Sequence, residues 1–274
     1  MREAFFLDGQ AGRIFCTGVR HPSAPQEGPR PAALICPPFA EEMNKARHVT
    51  AALSRALAQA GYDVLLPDLF GTGDSEGDFG DATLDLWRAD IDAGIAHLNS
   101  PTSLHLIGLR AGGLLAADAA LRHQAKSLVL LHPQTDGRQQ LTQFLRLRVA
   151  AGLMGDGEKE DLSELREKLA DGGSLEIAGY RLSGQLAADL DSLRLIDMPL
   201  TSIGVHWIEL APRAGRPLMP ASQRVIDAWA GNGVVTRTTS VVCDQFWATQ
   251  EIAYCAEIVD RTVTCLTPAS QQWA

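Results

Sequence analysis

The chain of 274 residues is 46% hydrophobic and 21% charged, which is enough material for one large domain with an insertion. Its formal net charge of −9 argues against non-specific binding to nucleic acid or to an anionic membrane. No apolar stretch is long enough to span a membrane, no signal peptide is recognisable, and the five cysteines form no C-x-x-C pair, so we expect a cytoplasmic protein.

The first half of the chain alternates between predicted strands and predicted helices. Residues 1–20 predict a hairpin, and the segment from His21 to Pro31, rich in proline and glycine, predicts a loop. The elements expected next are a strand at Ala32–Cys36, a helix at Arg47–Ala60, a strand at Tyr62–Leu66, a helix capped by Asp81, a strand at Leu104–Ile107, a helix from Gly112 and a strand at Ser127–Leu131. Such alternation with short connections predicts a mainly parallel, doubly wound sheet.

The pattern changes at residues 134–197, which we predict to be a cap, or lid, inserted after the sixth core strand. The elements expected there are a short helix at Phe144–Val149, a charged helix at Glu158–Leu169, a strand at Ser174–Tyr180 and a helix capped by Ser183. The order of the core resumes with a strand at Ile203–Leu210, a helix at Ala221–Ala230, a strand at Val234–Val242 and a final helix at Trp247–Val259. The predicted domains are therefore a core of residues 1–133 and 198–274 and a cap of residues 134–197.

The segment from Leu104 to Ala120 holds a strand, a glycine turn and a helix in immediate succession. This is the context of the G-x-S-x-G nucleophile elbow of an α/β-hydrolase, in which glycines let the helix approach the sheet. The motif here runs from Gly108 to Gly112, and the position of the serine holds Arg110.

Two further segments strengthen the resemblance to an α/β-hydrolase from about residue 32 to 265. A PPF turn follows the first core strand, and the loop Asp68-x-x-Gly71-x-Gly73-x-Ser75-x-Gly77 resembles that of serine-aminopeptidase-like and lysophospholipase-like hydrolases. More narrowly, CPPFAEEMNKAR, GLRAGG and DQFWATQEI resemble the second hydrolase family associated with the exosortase A system. That resemblance implies a setting in PEP-CTERM protein sorting and exopolysaccharide production, and it implies no substrate.

A serine hydrolase needs a nucleophile, a histidine base and an acid that orients the histidine. A guanidinium stays protonated at working pH, so Arg110 cannot attack a carbonyl. The acid belongs after the penultimate strand, near Arg213, while Glu209 is expected inside that strand. The histidine belongs in the turn after the last strand, where Asp244 and Gln245 stand. The sequence therefore predicts no serine-hydrolase activity of the usual kind.

The oxyanion hole of such enzymes is made by backbone N–H groups, which do not depend on side chains. One should come from Ala111 and the other from Phe39 or Ala40, because Pro37 and Pro38 have no N–H.

Three roles remain open for the polar residues expected around Arg110. An ion pair of Arg110 or Arg47 with Glu41 or Glu42 would close a redundant pocket. Alternatively, Arg110 at a helix N-terminus could bind a carboxylate, a phosphate or an acyl-bearing molecule. In a third interpretation His132 or one of the two glutamates activates water and the protein hydrolyses an ester or thioester.

Several further residues are expected near the pocket around Arg110. Asp74, Ser75 and Asp244 are expected within reach of the pocket, and Gln245 is counted with Asp244 among the binding residues. The pair Phe246 and Trp247 is expected to pack in the core or cap or to line the ligand site. Cys36 lies in an apolar strand that should raise its pKa, so it is a poor nucleophile. We predict no metal and no cofactor. The expected partner is a small acidic or acyl-bearing molecule or a protein of the exosortase or exopolysaccharide system; the oligomeric state is left open.

Overall fold

One sheet of eight strands organises the protein, and the computed structural model describes residues 1–21, 28–154, 160–249 and 251–273. Along the sheet the strands are β1 (Arg2–Asp8), β2 (Arg13–Val19), β4 (Asp63–Pro67), β3 (Pro31–Cys36), β5 (Ser103–Leu109), β6 (Ser127–Leu131), β9 (Gly204–Ala211) and β10 (Val235–Val242). The β1–β2 hairpin and the β2–β4 pair are antiparallel, and every pair from β4 to β10 is parallel. This confirms the predicted fold class.

Helices cover both faces of the sheet, because strands buried on two sides present apolar residues to both. The helices of the core are α1 (Glu41–Gln59), α2 (Leu84–His97), α3 (Gly112–Arg122), α7 (Pro220–Gly231) and α8 (Ala256–Cys265). Helices α1 and α8 contribute to one buried apolar cluster, and α2, α3 and α7 contribute to the other. The sheet between the two clusters holds the ends of β3, β5 and β6 in fixed positions.

The segment between β6 and β9 forms a small group of helices and a hairpin that packs on the core outside the main sheet. It consists of α4 (Gly137–Met154), α5 (Leu162–Ala170), the hairpin of β7 (Ser174–Ile177) and β8 (Tyr180–Ser183), and α6 (Gly184–Ser192). The Phe144 ring packs against Phe39 with 5.1 Å between ring centroids, and Asp189 accepts a hydrogen bond from the Leu84 N–H. The insertion thus covers the ends of β3 and β5; that it opens as a lid stays a prediction.

Two predicted helix starts were wrong. Helix α1 begins at Glu41 rather than at Arg47, so Glu41 and Glu42 lie in its first turn, where acidic residues complement the helix dipole. The prediction missed the first turn because it relied on regularly spaced apolar residues, and these begin only later in the helix. Thr83, not Asp81, caps α2 by accepting a hydrogen bond from the Leu86 N–H.

The late helix and the strand of the insertion also differ from the prediction. The last helix spans Ala256–Cys265 instead of Trp247–Val259. Phe246 and Trp247 are buried although they lie in a turn, and their apolar side chains gave the segment the spacing of an amphipathic helix. The strand predicted from Ser174 is a hairpin that turns at Ala178 and Gly179, both with positive φ. The helix predicted around Phe144 is longer and extends over the whole of α4. The charged helix predicted next is α5, which is capped by Asp161. Its predicted start at Glu158, and residues 22–27 of the predicted loop, lie outside the described residues.

Candidate functional site

Arg110 occupies the turn between β5 and α3, in a backbone conformation that is unusual for a residue with a side chain. Its φ is +56°, and its own N–H donates to the Leu131 carbonyl at 3.0 Å while its carbonyl accepts from the Gln134 N–H at 3.1 Å. A Cβ on Gly112 would lie 2.3 Å from the Cys36 carbonyl oxygen, so only glycine allows this close approach of α3 to β3. The predicted strand, turn and helix are therefore present at this position.

The guanidinium of Arg110 is buried and is held by neighbouring groups through Nε and Nη2. Its Nε and Nη2 donate to Glu42 Oε1 at 3.2 and 3.0 Å, and Nη2 also donates to Gln143 Oε1 at 3.0 Å. The ring of Trp247 stacks on it with 4.9 Å from Cζ to the ring centroid. Because the residue is only 6% exposed, its charge is balanced inside the protein.

The two glutamates at the start of α1 have different surroundings. Burial raises the pKa of Glu42, and the charge and hydrogen bonds of Arg110 oppose that rise. Burial raises the pKa of Glu41 to about 7, and no hydrogen bond or ion pair of its carboxylate to Arg110 is found among the described residues; the Oε2 atoms of both glutamates lack a hydrogen-bond partner there. Arg47 does not join this group, since its Nη2 donates to Asp68 Oδ2 at 2.8 Å. Of the four ion pairs considered from the sequence, the structure contains the one between Arg110 and Glu42.

His132 lies beside Arg110 but is held as a neutral acceptor. Its Nδ1 accepts a hydrogen bond from the Leu210 N–H at 3.0 Å, so the proton of the neutral ring is on Nε2. Burial, and secondarily the charge of Arg110, lower its pKa to about 4. Its ring packs against Trp247 with 5.0 Å between centroids. Because Nδ1 is engaged, Nε2 carries the proton and the pKa of the ring is low, this histidine is poorly placed to accept a proton from water.

The predicted oxyanion-hole amides meet at the ends of β3 and β5. Ala40 has a φ of +49° at the N-terminus of α1, and Ala111 precedes α3. In the part of the chain that the structure describes, the N–H groups of Phe39, Ala40 and Ala111 donate to no acceptor, although all three residues are buried. Buried amides without a partner are rare in proteins, so these groups are available to a carbonyl or carboxylate oxygen.

The space next to these amides is apolar and almost filled. Its volume is about 20 Å³, roughly the room of one water molecule. The side chains that close it include Phe39, Met43, Trp87 and Leu115 of the core and Leu190 and Leu193 of the insertion. A pocket for a drug-sized ligand has about 300–1,000 Å³, so the described structure has no room for such a ligand here.

The glycine-rich loop after β4 builds its own framework instead of reaching Arg110. Asp68 is 2% exposed, and its Oδ2 accepts from the Asp74 N–H at 3.0 Å as well as from Arg47. The Ser75 hydroxyl donates to the Asp68 carbonyl at 2.5 Å and accepts from the Phe15 N–H at 2.7 Å. A Cβ on Gly73 would lie 1.9 Å from Asp68 Oδ2, which explains the spacing of the motif. The expectation that Asp74 and Ser75 reach the pocket was wrong.

The other predicted site residues separate into buried and exposed positions. Phe246 and Trp247 are buried, with 4.9 Å between their ring centroids, whereas Asp244, Gln245 and Arg213 are exposed. Glu209 lies inside β9, where it accepts from Trp207 Nε1 at 3.2 Å and from the Met219 N–H at 3.0 Å. Burial raises the pKa of Cys36 to about 12. Sequence reasoning missed Gln143, because nothing in the local pattern of α4 shows that it faces Arg110.

The described residues offer neither a metal site nor a membrane-spanning helix. No three histidine, cysteine or acidic side chains among them are grouped so as to hold a metal ion. None of the helices in those segments is long and apolar enough to cross a membrane.

Comparison with known proteins places this geometry in a family context. Residues 27–159, just under half of the chain, match the model of the family described as serine aminopeptidase, S33. Among solved structures the chain is similar to the esterase Est1E from Butyrivibrio proteoclasticus with bound ferulic acid, at 19% identity, with 95% of this chain and 96% of that chain covered and a TM-score of 0.64. No curated protein matches the chain.

Two further structures share the fold. The α/β-hydrolase GrgF from a Penicillium species is 15% identical, with 96% of this chain and 97% of that chain covered and a TM-score of 0.61. The thioesterase domain of the curacin biosynthetic pathway is 15% identical, with 96% of this chain and 98% of that chain covered and a TM-score of 0.57. At these identities the similarity establishes the α/β-hydrolase fold, and together with the family model it supports the superfamily.

Proposed function

We propose that this protein, built on the α/β-hydrolase fold, is a non-catalytic accessory protein that binds the acyl group of a small molecule. The observation that supports this proposal most strongly is the buried arginine at the nucleophile position, Arg110, bonded to Glu42 and Gln143. A protonated guanidinium is no nucleophile, and this one fills the space in which a serine would be activated.

The other positions of the triad agree with a non-catalytic role. Where the orienting acid is expected, Arg213 is exposed and Glu209 is occupied by hydrogen bonds within β9. Where the catalytic histidine is expected, the turn has an exposed Gln245. Loss of all three groups removes the chemistry of acyl transfer while leaving the backbone amides of the oxyanion hole.

An acyl group fits this site better than a free anion. The charge of Arg110 is already neutralised by Glu42, so little of it is left for a carboxylate or phosphate. The unpaired N–H groups of Ala40 and Ala111 suit a carbonyl oxygen, and the adjoining wall is apolar. Binding requires Leu190 and Leu193 to move away, which gives the insertion a role as a lid.

Two measurements test the proposal together. Turnover of p-nitrophenyl butyrate and labelling by a fluorophosphonate probe should both stay at the level of buffer. Octanamide, an uncharged acyl amide, should bind in a calorimetric titration, and Leu190→Trp should abolish that binding by filling the pocket, while the control Leu153→Trp, at a 67% exposed position, should not. Turnover above buffer, or octanamide binding that Leu190→Trp leaves intact, would overturn the proposal.

The competing function is hydrolysis of an ester or thioester by His132, Glu41 or Glu42. One observation favours Glu41 among these: its carboxyl has a pKa raised to about 7, which suits a general base near neutral pH. In that case the protein turns over p-nitrophenyl esters, and Glu41→Gln abolishes turnover whereas His132→Ala does not. Absence of turnover in the unaltered protein rules this function out.

The setting that we propose for the binding protein is the exosortase A and exopolysaccharide system. Its support is the sequence resemblance of the segments around Pro37, Arg110 and Trp247. Deletion of the gene should then impair export of exopolysaccharide or sorting of PEP-CTERM proteins, and a copy with Leu190→Trp should fail to restore it. Normal sorting and export in the deletion strain would contradict this setting.

A further inference from the structure

Three arginines converge on a second cavity, which lies away from the elbow between α1 and the β1–β2 hairpin. Arg47 and Arg55 project from α1, and Arg2 lies across from them on β1. Together with Thr17, Ala51 and Ser54 they line a hollow of about 40 Å³, which is room for a small ion. We call Arg2, Arg47 and Arg55 the arginine cluster.

The hollow follows from the spacing along α1. Arg47, Ala51 and Arg55 are four residues apart, so they share one face of the helix. The two arginines are about 12 Å apart along the axis, at a rise of about 1.5 Å per residue. The small side chain of Ala51 between them leaves the gap, and Arg2 closes it from the strand that pairs with Val19 and Thr17.

The cluster is short of negative charge. In the described segments Arg2 and Arg55 form no ion pair or hydrogen bond through their side chains, and both are exposed. Only Arg47 has a carboxylate partner, Asp68, and that carboxylate is also engaged by the Asp74 N–H. The three positive charges around one hollow repel one another, and a single carboxylate, that of Asp68 on Arg47, offsets them.

The cluster opens into a much larger groove. This groove has a volume of about 1,160 Å³, and Arg2, Thr17 and Arg47 line both the groove and the hollow. It runs past the glycine-rich loop to the β7–β8 hairpin, where Tyr180 and Arg181 form its far wall. A group held by the arginines can therefore belong to a longer molecule.

We infer that the arginine cluster binds a phosphoryl group, with the rest of the ligand lying in the adjoining groove. Guanidinium groups bind phosphate oxygens through two parallel hydrogen bonds, and three of them from different directions match a tetrahedral anion better than a planar carboxylate. Such an anion would also remove the repulsion within the cluster. The phosphoryl group can come from a free phosphorylated molecule or from the headgroup of an anionic lipid.

Calorimetric titration of the full chain with pyrophosphate at low ionic strength tests this inference. We expect one binding site, weaker binding as sodium chloride is added, and much weaker binding of acetate. Arg55→Gln should lower the affinity for pyrophosphate at least tenfold, and Arg2→Gln combined with it should abolish binding. The matched control is Arg224→Gln, at an exposed arginine of α7 outside the groove, which should change the affinity less than twofold.

Vesicles distinguish the two sources of the phosphoryl group. Sedimentation with phosphatidylglycerol vesicles, but not with phosphatidylcholine vesicles, that is lost in Arg55→Gln assigns the site to a lipid headgroup. Binding of pyrophosphate without sedimentation assigns it to a free phosphorylated molecule. Absence of binding to either probe, or binding that Arg55→Gln leaves unchanged while thermal unfolding shows an intact fold, overturns the inference. Neither result depends on the acyl site, so the two proposals fail separately.

Discussion

Arginine side chains occupy two sites near α1 that differ in burial and in pairing: one site is buried and ion-paired, and the other is exposed and mostly unpaired among the described residues. At the start of the helix Glu42 holds Arg110 in a buried ion pair that is covered by Trp247. Farther along the same helix Arg47 and Arg55, with Arg2 opposite, line a small hollow, and among the described residues only Arg47 has a carboxylate partner, Asp68.

The difference indicates which arginine is structural and which is available. A buried charge is tolerated only with a partner, so Arg110 must keep Glu42 and cannot exchange it cheaply for a ligand. An exposed cation without a partner costs little and keeps its hydrogen-bond donors free. The arginine at the elbow is thus less accessible than those of the arginine cluster, and sequence position alone would have suggested the reverse.

Replacing Arg110 should have the largest effect on stability. We expect Arg110→Ala to lower the free energy of unfolding by roughly 3–5 kcal/mol, because it leaves the Glu42 carboxylate buried without its partner. Urea unfolding measures this, with the exposed Arg224→Ala as control. A loss below about 1 kcal/mol, together with lost binding of an acidic ligand, would instead support an anion site at Arg110.

A substitution in the glycine-rich loop should have the next largest effect and should act on the other arginine site. Gly73→Ala places a Cβ 1.9 Å from Asp68 Oδ2 at a φ of +54°, so Asp68 must move and Arg47 with it. We expect a loss of roughly 2–3 kcal/mol and weaker pyrophosphate binding.

The matched control for this substitution is Gly172→Ala. Gly172 has a φ of +83° but open space around its Cβ position. It should lose only about 1 kcal/mol, the cost of the backbone conformation. Equal losses in the two variants would show that the contact with Asp68 is unimportant.

Glu41 should give a smaller effect that depends on pH. Because burial raises its folded-state pKa from 4.5 to about 7, its charged form destabilises the protein above that pH, and the penalty disappears as pH falls through this range to 4.5. Glu41→Gln should therefore stabilise the protein by roughly 1–2 kcal/mol at pH 8 and by almost nothing at pH 4, allowing for its partial exposure. Thermal unfolding across pH measures this gain in stability, with Glu167→Gln, at an exposed position, as the control. A gain that is equal at both pH values would be inconsistent with this account.

The smallest effect on stability is expected at the arginine cluster itself. Arg55→Gln removes an exposed charge that has repulsive neighbours and no partner within the described parts of the chain, so the free energy of unfolding should change by less than about 0.5 kcal/mol. Urea unfolding without phosphate in the buffer tests this. A loss comparable to that of Arg110→Ala would mean that the cluster, like the elbow, serves to hold the fold together.

The fold could be predicted from sequence because its signals are local. Buried strands such as Ser127–Leu131 and the glycine turn at Gly108–Gly112 are set by a few adjacent residues, and both lie where predicted. Element ends that depend on distant packing could not be predicted. Trp247 is buried by Arg110 and His132, and the sequence around it does not show that its segment is a turn.

The candidate site was only partly accessible to sequence reasoning. The elbow frame and the possible pairing of Arg110 with Glu42 follow from the motif and from residues next to a predicted loop. Gln143 and the arginine cluster depend on how α4, α1 and β1 are placed against one another, and no short-range pattern indicates that placement. Contacts between residues distant in the chain were therefore the main part that sequence analysis missed.

The central claim, that Arg110 is a structural partner of Glu42 at the elbow, is tested most directly by a double-mutant cycle. Urea unfolding of Arg110→Met, Glu42→Leu and the combined variant gives the coupling energy between the two side chains. We predict a coupling of at least about 2 kcal/mol, with the combined variant about as stable as the unaltered protein, because apolar residues can replace a buried ion pair. A coupling below about 0.5 kcal/mol would contradict the claim.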